Sequence, residues 1–124
     1  MPITESTATR GLKISVTESE GDALVCVRGR VSVDSSPELR NRLLAILDRK
    51  PPSKLTIDLA EVNYIDCSGI ATLLEALGIA HTRNTILQLR GLPDRPRYFL
   101  EVIGLLPLFE TNGRTIGFST SKVL

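Results

Sequence analysis

The chain carries almost no excess charge: fifteen basic residues against fourteen acidic ones leave +1 at pH 7. Nucleic acid and anionic membrane surfaces demand a basic excess, so neither is expected as the main partner. Cysteine is scarce as well. Cys26 and Cys67 are too few for a disulfide framework, and Cys26 reads as a small core residue in an apolar strand. One histidine, His81, with no cysteine pair nearby, makes no zinc site. It falls at the end of a helical apolar stripe and is expected as a partly buried residue at a helix C-terminus. Long apolar runs are missing too. The greasiest stretch, Tyr98 to Phe109, is broken by Glu101, Gly104 and Pro107 and is too short to insert into a bilayer. The first ten residues are polar, with no signal-peptide core. They are expected to form a flexible tail, residues 1–10, ahead of a domain at 11–119 and a short tail at 120–124. A cytoplasmic setting follows from these readings.

What remains is an ordinary globular composition in a chain of 124 residues, 42% apolar and 23% charged, long enough to bury one core. Leu12, Ile14 and Val16 alternate with polar residues, as in a half-buried strand. After the turn at Glu20-Gly21-Asp22, the run Ala23 to Val27 suits a strand covered on both faces. Ser36 is positioned to cap a first helix, with Pro37 and Glu38 in its first turn and Leu39, Leu43, Ile46 and Leu47 on one face. Pro51 and Pro52 stop it. A strand over Lys54 to Leu59 leads to a second helix near Ser68, whose buried stripe is Ile70, Leu73, Leu74 and Leu77. A strand from Ile86 to Leu89, a short helix from Asp94–Pro96 to Gly104, and an edge strand at Arg114 to Phe118 complete the order. Alternating strands and helices predict an α/β domain with a mostly parallel sheet of four to five strands, an N-terminal hairpin and three main helices.

Enzymatic signatures are lacking. No Gly-rich phosphate loop and no Gly-x-Gly-x-x-Gly follows a strand. Asp58 and Asp66 have the chemistry for acid–base work, but no pattern brings them together in a pocket, and Asp58 at a strand end suits backbone donors. Ser68 at a strand-to-helix turn lacks the flanking glycines and the separate histidine of a hydrolase elbow. No enzyme activity and no cofactor are expected.

The turn Asp66-Cys67-Ser68-Gly69 carries the remaining signal. Ser68 stands at the first free N–H groups of a helix, where a serine is either a cap or a phosphoacceptor. A phosphate there would add about −1.5 to −2 charge at neutral pH. Gly69 leaves the hydroxyl open. By helical period Thr72, Glu75, Ala76 and Ile79 line up behind Ser68, opposite the leucines. Apolar Ala76 and Ile79 on that face suggest a docking surface and leave pairing with a second copy open.

Three segments, Leu55 to Leu59, Tyr64 to Ile70 and Ile103 to Phe109, together resemble a STAS domain of the anti-sigma factor antagonist type. With Gly29-Arg30-Val31 upstream, the resemblance covers roughly Leu12 to Phe118. It implies a regulatory protein, without a cofactor of its own, that binds an anti-sigma factor with serine kinase activity. Ser68 would be the phosphoacceptor, with Asp66, Cys67 and Gly69 shaping the turn, and a matching phosphatase would restore the hydroxyl. Modification would release the partner, and the ATP belongs to the kinase. Ser32 stands where that family commonly has an aspartate near the acceptor, with Asp34 two residues on as a substitute; Thr72, Glu75, Ala76 and Ile79 complete the expected partner surface. Cys67 takes the place of a frequent serine, and His81 to Asn84 replaces a common glycine pair. Two other readings stand beside this one. The first is an unmodified STAS scaffold subunit of a phospholipid-trafficking ABC transporter, and the second a redox sensor built on Cys67.

Overall fold

The computed structural model describes residues 3–9 and 11–104. Along the chain run β1 (Ile3–Thr9), β2 (Leu12–Ser19), β3 (Asp22–Val31), α1 (Ser36–Arg49), β4 (Lys54–Ile65), α2 (Cys67–Thr82), β5 (Ile86–Arg90) and α3 (Asp94–Val102). The five strands form one sheet in sequence order. The β1/β2 and β2/β3 ladders are antiparallel, and the β3/β4 and β4/β5 ladders are parallel. A parallel pair needs a crossover, and α1 and α2 supply the two.

One row across the sheet lies wholly within the core. Val16 pairs with Val25, Val25 with Ile57 and Ile57 with Leu89, and all four side chains are buried. Leu39, Leu43 and Leu47 of α1 and Ile70, Leu73, Leu77 and Ala80 of α2 are buried with them. Leucines at helical spacing thus meet β-branched residues at strand spacing, each period matching its element. The next row, on the opposite face, joins Ser15, Cys26, Asp58 and Arg90 in the same ladder order.

Several expectations change. The run Ala23 to Val27 is not covered on both faces: Ala23, Val25 and Val27 are buried while Leu24 and Cys26 are half-buried. Cys26 lies beside Asp58 rather than in the core; burial, then the Asp58 charge, pushes its thiol up, against Arg90 and Arg28. Residues 3–9 are not a tail but a strand on the hairpin's outer edge, which makes the sheet mixed. β4 runs six residues beyond the expected end, from Leu59 to Ile65. Its register against β3 shifts twice, between Cys26 and Arg28 and between Gly29 and Arg30. Each shift inserts a residue, and bulges erase the period of two that marks a strand in sequence. Ser36 does not cap α1: it is the first helical residue, and no side-chain cap is made. His81 is at the end of α2 as expected, but exposed. α3 ends at Val102, with the Gly104 N–H bonded to the Glu101 carbonyl at 3.1 Å. The expected strand at Arg114 to Phe118, and the Leu105 to Phe109 part of the third family-like segment, lie outside the described residues.

Two glycines set the hairpin. Glu20 and Gly21 both have positive φ, 52° and 86°, the pair of left-handed residues that a tight two-residue hairpin requires. Gly29, at φ +99°, packs its α-carbon against the Gly11 carbonyl, where a Cβ would overlap the oxygen. Around Gly21 a Cβ would meet nothing within 4 Å. Gly21→Ala should therefore cost about 1 kcal/mol, the left-handed penalty alone. Gly29→Ala should cost about 3 kcal/mol, because overlap with backbone is added. Urea unfolding of both variants tests this, and equal losses would count against it.

Candidate functional site

The β3/β4 ladder hands its last bond to Asp66, whose N–H donates to the Val31 carbonyl at 3.1 Å. Asp66 is still extended, with φ −103° and ψ −171°, and is the N-cap of α2. Its Oδ1 accepts from the Ser68 N–H at 2.9 Å, the Gly69 N–H at 3.2 Å and the Ser68 hydroxyl at 2.5 Å. Its carbonyl takes the first helical bond, from the Ile70 N–H at 3.1 Å. The backbone N–H of Val33 also bonds the carboxylate. One side chain thereby satisfies two orphan donors of the helix start, those of Ser68 and Gly69, and ties down the loop that follows β3.

This geometry corrects the expected division of labour in the turn. Asp66, not Ser68, is the cap. Ser68 is the second helical residue, half-buried, and its hydroxyl donates to the carboxylate instead of accepting from the helix. Gly69 is buried, and a Cβ on it would lie 2.6 Å from Cγ1 of Ile65 and 2.7 Å from Cγ1 of Val31. Its smallness lets the first turn of α2 rest on the ends of β3 and β4, which is a packing role rather than a means of exposing the hydroxyl. Cys67 is exposed at the first helical position.

Part of the expected partner surface is buried. Thr72 and Ala76 are buried, at 6% and 2% exposure. Thr72 donates its hydroxyl to the Ser68 carbonyl at 3.0 Å. Ile79 is half-buried and packs on the core. Glu75 is exposed but held by both oxygens to Arg40 of α1, at 2.8 Å each. α2 is buried beyond the side its leucines mark, with α1 packed against it and pinned there by Arg40 to Glu75 and Asp48 to Arg83; the wheel revealed only the leucine side. Residues of α2 that do face outward near the site are Cys67 and Ala71.

Ser32 and Asp34 flank the site without entering it. The Ser32 N–H donates to Oγ of Ser35 at 3.0 Å, and its carbonyl accepts from the N–H groups of Ser35 and Ser36 at 3.0 and 2.7 Å. Ser35 Oγ in turn donates to the Arg30 carbonyl at 2.8 Å. Asp34 is exposed, and neither it nor the Ser32 side chain bonds Ser68. Three residues near the turn were given no site role from the sequence: Val33, and Arg30 and Tyr64, which entered only as parts of the family-like segments. Val33 was legible only as an apolar residue in a polar loop. The Arg30 guanidinium lies 4.2 Å above the Tyr64 ring, a contact made by the shifted β3/β4 register and visible in no local pattern. Among the described residues no cluster of three or more His, Cys, Asp and Glu side chains would hold a metal ion, and no helix is long and apolar enough to cross a membrane.

The hydroxyl bond from Ser68 is the largest cause holding the Asp66 carboxyl below its ordinary value, with the Gly69, Ser68 and Val33 N–H groups adding to it against some burial. A carboxyl depressed by folding stabilises the native state fully above its unfolded pKa, and the gain is lost as pH falls through the folded one. Asp66→Ala should therefore cost about 1 kcal/mol at neutral pH. The gap to wild type should close between about pH 5 and about pH 2, the window below the usual carboxylate value. Ser68→Ala should raise the Asp66 pKa in an NMR titration. A constant gap across that window, or an unmoved Asp66 titration, would contradict this account.

Comparison with known proteins agrees with this fold. A family model described as "Mlab, STAS domain" matches residues 14–109. The anti-sigma-B factor antagonist of Bacillus subtilis is 24% identical over 106 residues, which span 86% of this chain and 95% of that protein. The protein of the same name from Listeria monocytogenes is 29% identical over 100 residues, 80% of this chain and 87% of that one. Among solved structures, an anti-sigma factor antagonist from Mycobacterium paratuberculosis has the same fold, with a TM-score of 0.70, 18% identity and 90% of each chain covered. With most of its length inside the family match, the chain belongs to the STAS domain family.

Proposed function

We propose that this chain is an anti-sigma factor antagonist switched at Ser68. Unmodified, it binds an anti-sigma factor with serine kinase activity and so frees a sigma factor. Phosphorylated on Ser68, it lets go, and a phosphatase resets it. The observation that carries this reading is the 2.5 Å bond from the Ser68 hydroxyl to Asp66 Oδ1. It fixes a half-buried hydroxyl in one orientation at a helix start, beside exposed Cys67 and Val33.

The chemistry follows from that bond. Ser68 Oγ attacks the γ-phosphorus of the partner's ATP, the new O–P bond replaces the bond to ADP, and the hydroxyl proton passes to solvent, leaving Asp66 ionised. Asp66 is a weak base, since its carboxyl is depressed; its contribution is orientation. Afterwards a phosphate carrying about −1.5 to −2 charge faces a carboxylate. Two unit charges 4 Å apart repel by about 1 kcal/mol in water and about 4 kcal/mol at an effective dielectric of 20. The usual amide sites for phosphate at a helix start are already taken, because Asp66 holds the Ser68 and Gly69 N–H groups. The phosphate is driven outward, into the face a partner would cover.

A second reading, an unmodified scaffold in a phospholipid-trafficking ABC transporter, draws support from Ser32: its backbone closes a turn, and the carboxylate the resemblance leads one to expect near the acceptor is absent. Incubation with the serine kinases of the same genome and ATP, followed by mass mapping, separates the two. The switch predicts a phosphopeptide spanning Cys67-Ser68, tight binding by Ser68→Ala and binding weakened at least tenfold in Ser68→Glu, from charge repulsion of the size given above. Co-purification with an ABC ATPase and no such phosphopeptide would favour the scaffold.

A further inference from the structure

We infer that Ser35, which exposes none of its surface, is a positioning residue for phosphoryl transfer to Ser68: its hydroxyl fixes Val31, the strand residue on which Asp66 and Gly69 both rest. This rests on the reading of Ser68 as the phosphoacceptor, and it deepens that reading by naming a residue that sets how fast Ser68 reacts. Ser35 stands at the N-cap of α1, where a serine ordinarily accepts from an N–H of the first helical turn. Here that cap is not made. The hydroxyl turns back toward β3 instead, donating to the Arg30 carbonyl at 2.8 Å and accepting from the Ser32 N–H at 3.0 Å. A capping position given over to another bond calls for a reason, and the residue between those two partners supplies it.

Val31 lies between Arg30 and Ser32, is fully buried, and touches the turn at both of its ends. Its carbonyl accepts from the Asp66 N–H at 3.1 Å, which sets where the cap residue stands. Its Cγ1 lies 2.7 Å from where a Cβ on Gly69 would be, so it sets how closely the first turn of α2 can sit. The Ser32 carbonyl, holding the Ser35 and Ser36 N–H groups at 3.0 and 2.7 Å, closes the loop from the other side. Inside that loop Val33 gives its N–H to the Asp66 carboxylate. Ser35 thus governs the placing of Asp66 through Val31 and through the loop, and Asp66 in turn orients the Ser68 hydroxyl. With no exposed surface, Ser35 cannot touch a docked kinase, and water cannot take the place of its hydroxyl. Its removal would therefore act on the presentation of Ser68 and not on docking. The transfer keeps its balance: Ser68 Oγ displaces ADP from the γ-phosphorus, and its proton goes to solvent. What changes is the fraction of encounters in which the hydroxyl is aimed.

Phosphorylation kinetics on the full chain, with the serine kinase of the same genome that modifies Ser68, test this in Ser35→Ala, Ser35→Cys and Thr85→Val. Thr85→Val is the control. It deletes another buried hydroxyl bond, 2.7 Å to the Pro52 carbonyl, at the end of β4 opposite the turn. Ser35→Ala should lower kcat about tenfold or more at unchanged KM. Ser35→Cys, a weaker donor of similar shape, should fall between it and wild type. Thr85→Val should leave both constants unchanged. NMR titration without any kinase supplies a further readout: Asp66 should titrate higher in Ser35→Ala than in wild type, and unchanged in Thr85→Val. If Ser35→Ala does not fold, Ser35→Cys carries the same measurements. Equal slowing by Ser35→Ala and Thr85→Val, a rise in KM alone, an unchanged kcat or an unmoved Asp66 titration would overturn the inference and leave the Ser68 switch standing. A wild type that no kinase modifies at Ser68 fails the switch and this inference together.

Discussion

The Asp66 carboxylate is the point on which the rest of the site depends. Three parts of the chain converge there: the end of β4, the start of α2 and, through Val33, the loop after β3. A helix that begins one residue after a strand has no loop in which to satisfy its first N–H groups, so the residue between must do it. Aspartate is suited to this, because it accepts several bonds and its charge complements the helix dipole. The Ser68 hydroxyl joins the cap as a further donor. Its orientation is thus a by-product of closing the strand-to-helix turn, and the candidate switch needs no separate machinery.

Gly69 and the β4 bulges serve the same junction. Val31 and Ile65 are register partners at the ends of parallel strands, and the first turn of α2 can lie over them only where no Cβ intervenes. The two extra residues in β4 carry the strand past Leu59 and bring Tyr64 opposite Arg30. Without them the strand would end short of the turn, and the stacked pair would not form beside it.

Much of this fold was legible because its signals are local. The alternation in Leu12 to Val16, the prolines after α1 and the leucine spacings of α1 and α2 each report a period or a stop that the backbone obeys. The turn itself was legible as a site, but the assignment of roles within it was not. Serine and aspartate both cap helices, and only the position of the strand end decides which one stands at the cap. The partner surface failed for a different reason. A helical wheel separates apolar from polar positions, yet Thr72 and Ala76 are small, and small residues mark close helix packing as readily as exposure. α1 packs against α2, a long-range fact pinned by Arg40–Glu75 and Arg83–Asp48. β1 was hidden for the converse reason: its polar sequence reads as a tail, and pairing with the hairpin supplies the order.

The same junction explains why a charge added at Ser68 would be read at the surface and not as unfolding. Asp66 would face a new like charge, but the turn does not hang on the carboxylate alone. The Asp66 N–H remains on the Val31 carbonyl, the Ile70 N–H on the Asp66 carbonyl, and Gly69 seated against Ile65 and Val31. Those backbone and packing contacts are indifferent to charge, and Thr72 adds a further bond to the Ser68 carbonyl from inside the helix packing. Loss of a cap costs about 1 kcal/mol, small beside the stability of a domain. A docked partner has no such reserve: a few kcal/mol of repulsion in a desolvated contact change its affinity by orders of magnitude. A charge added at Ser68 would leave the fold standing because its helix start is held redundantly, whereas an interface centred on the hydroxyl would be lost.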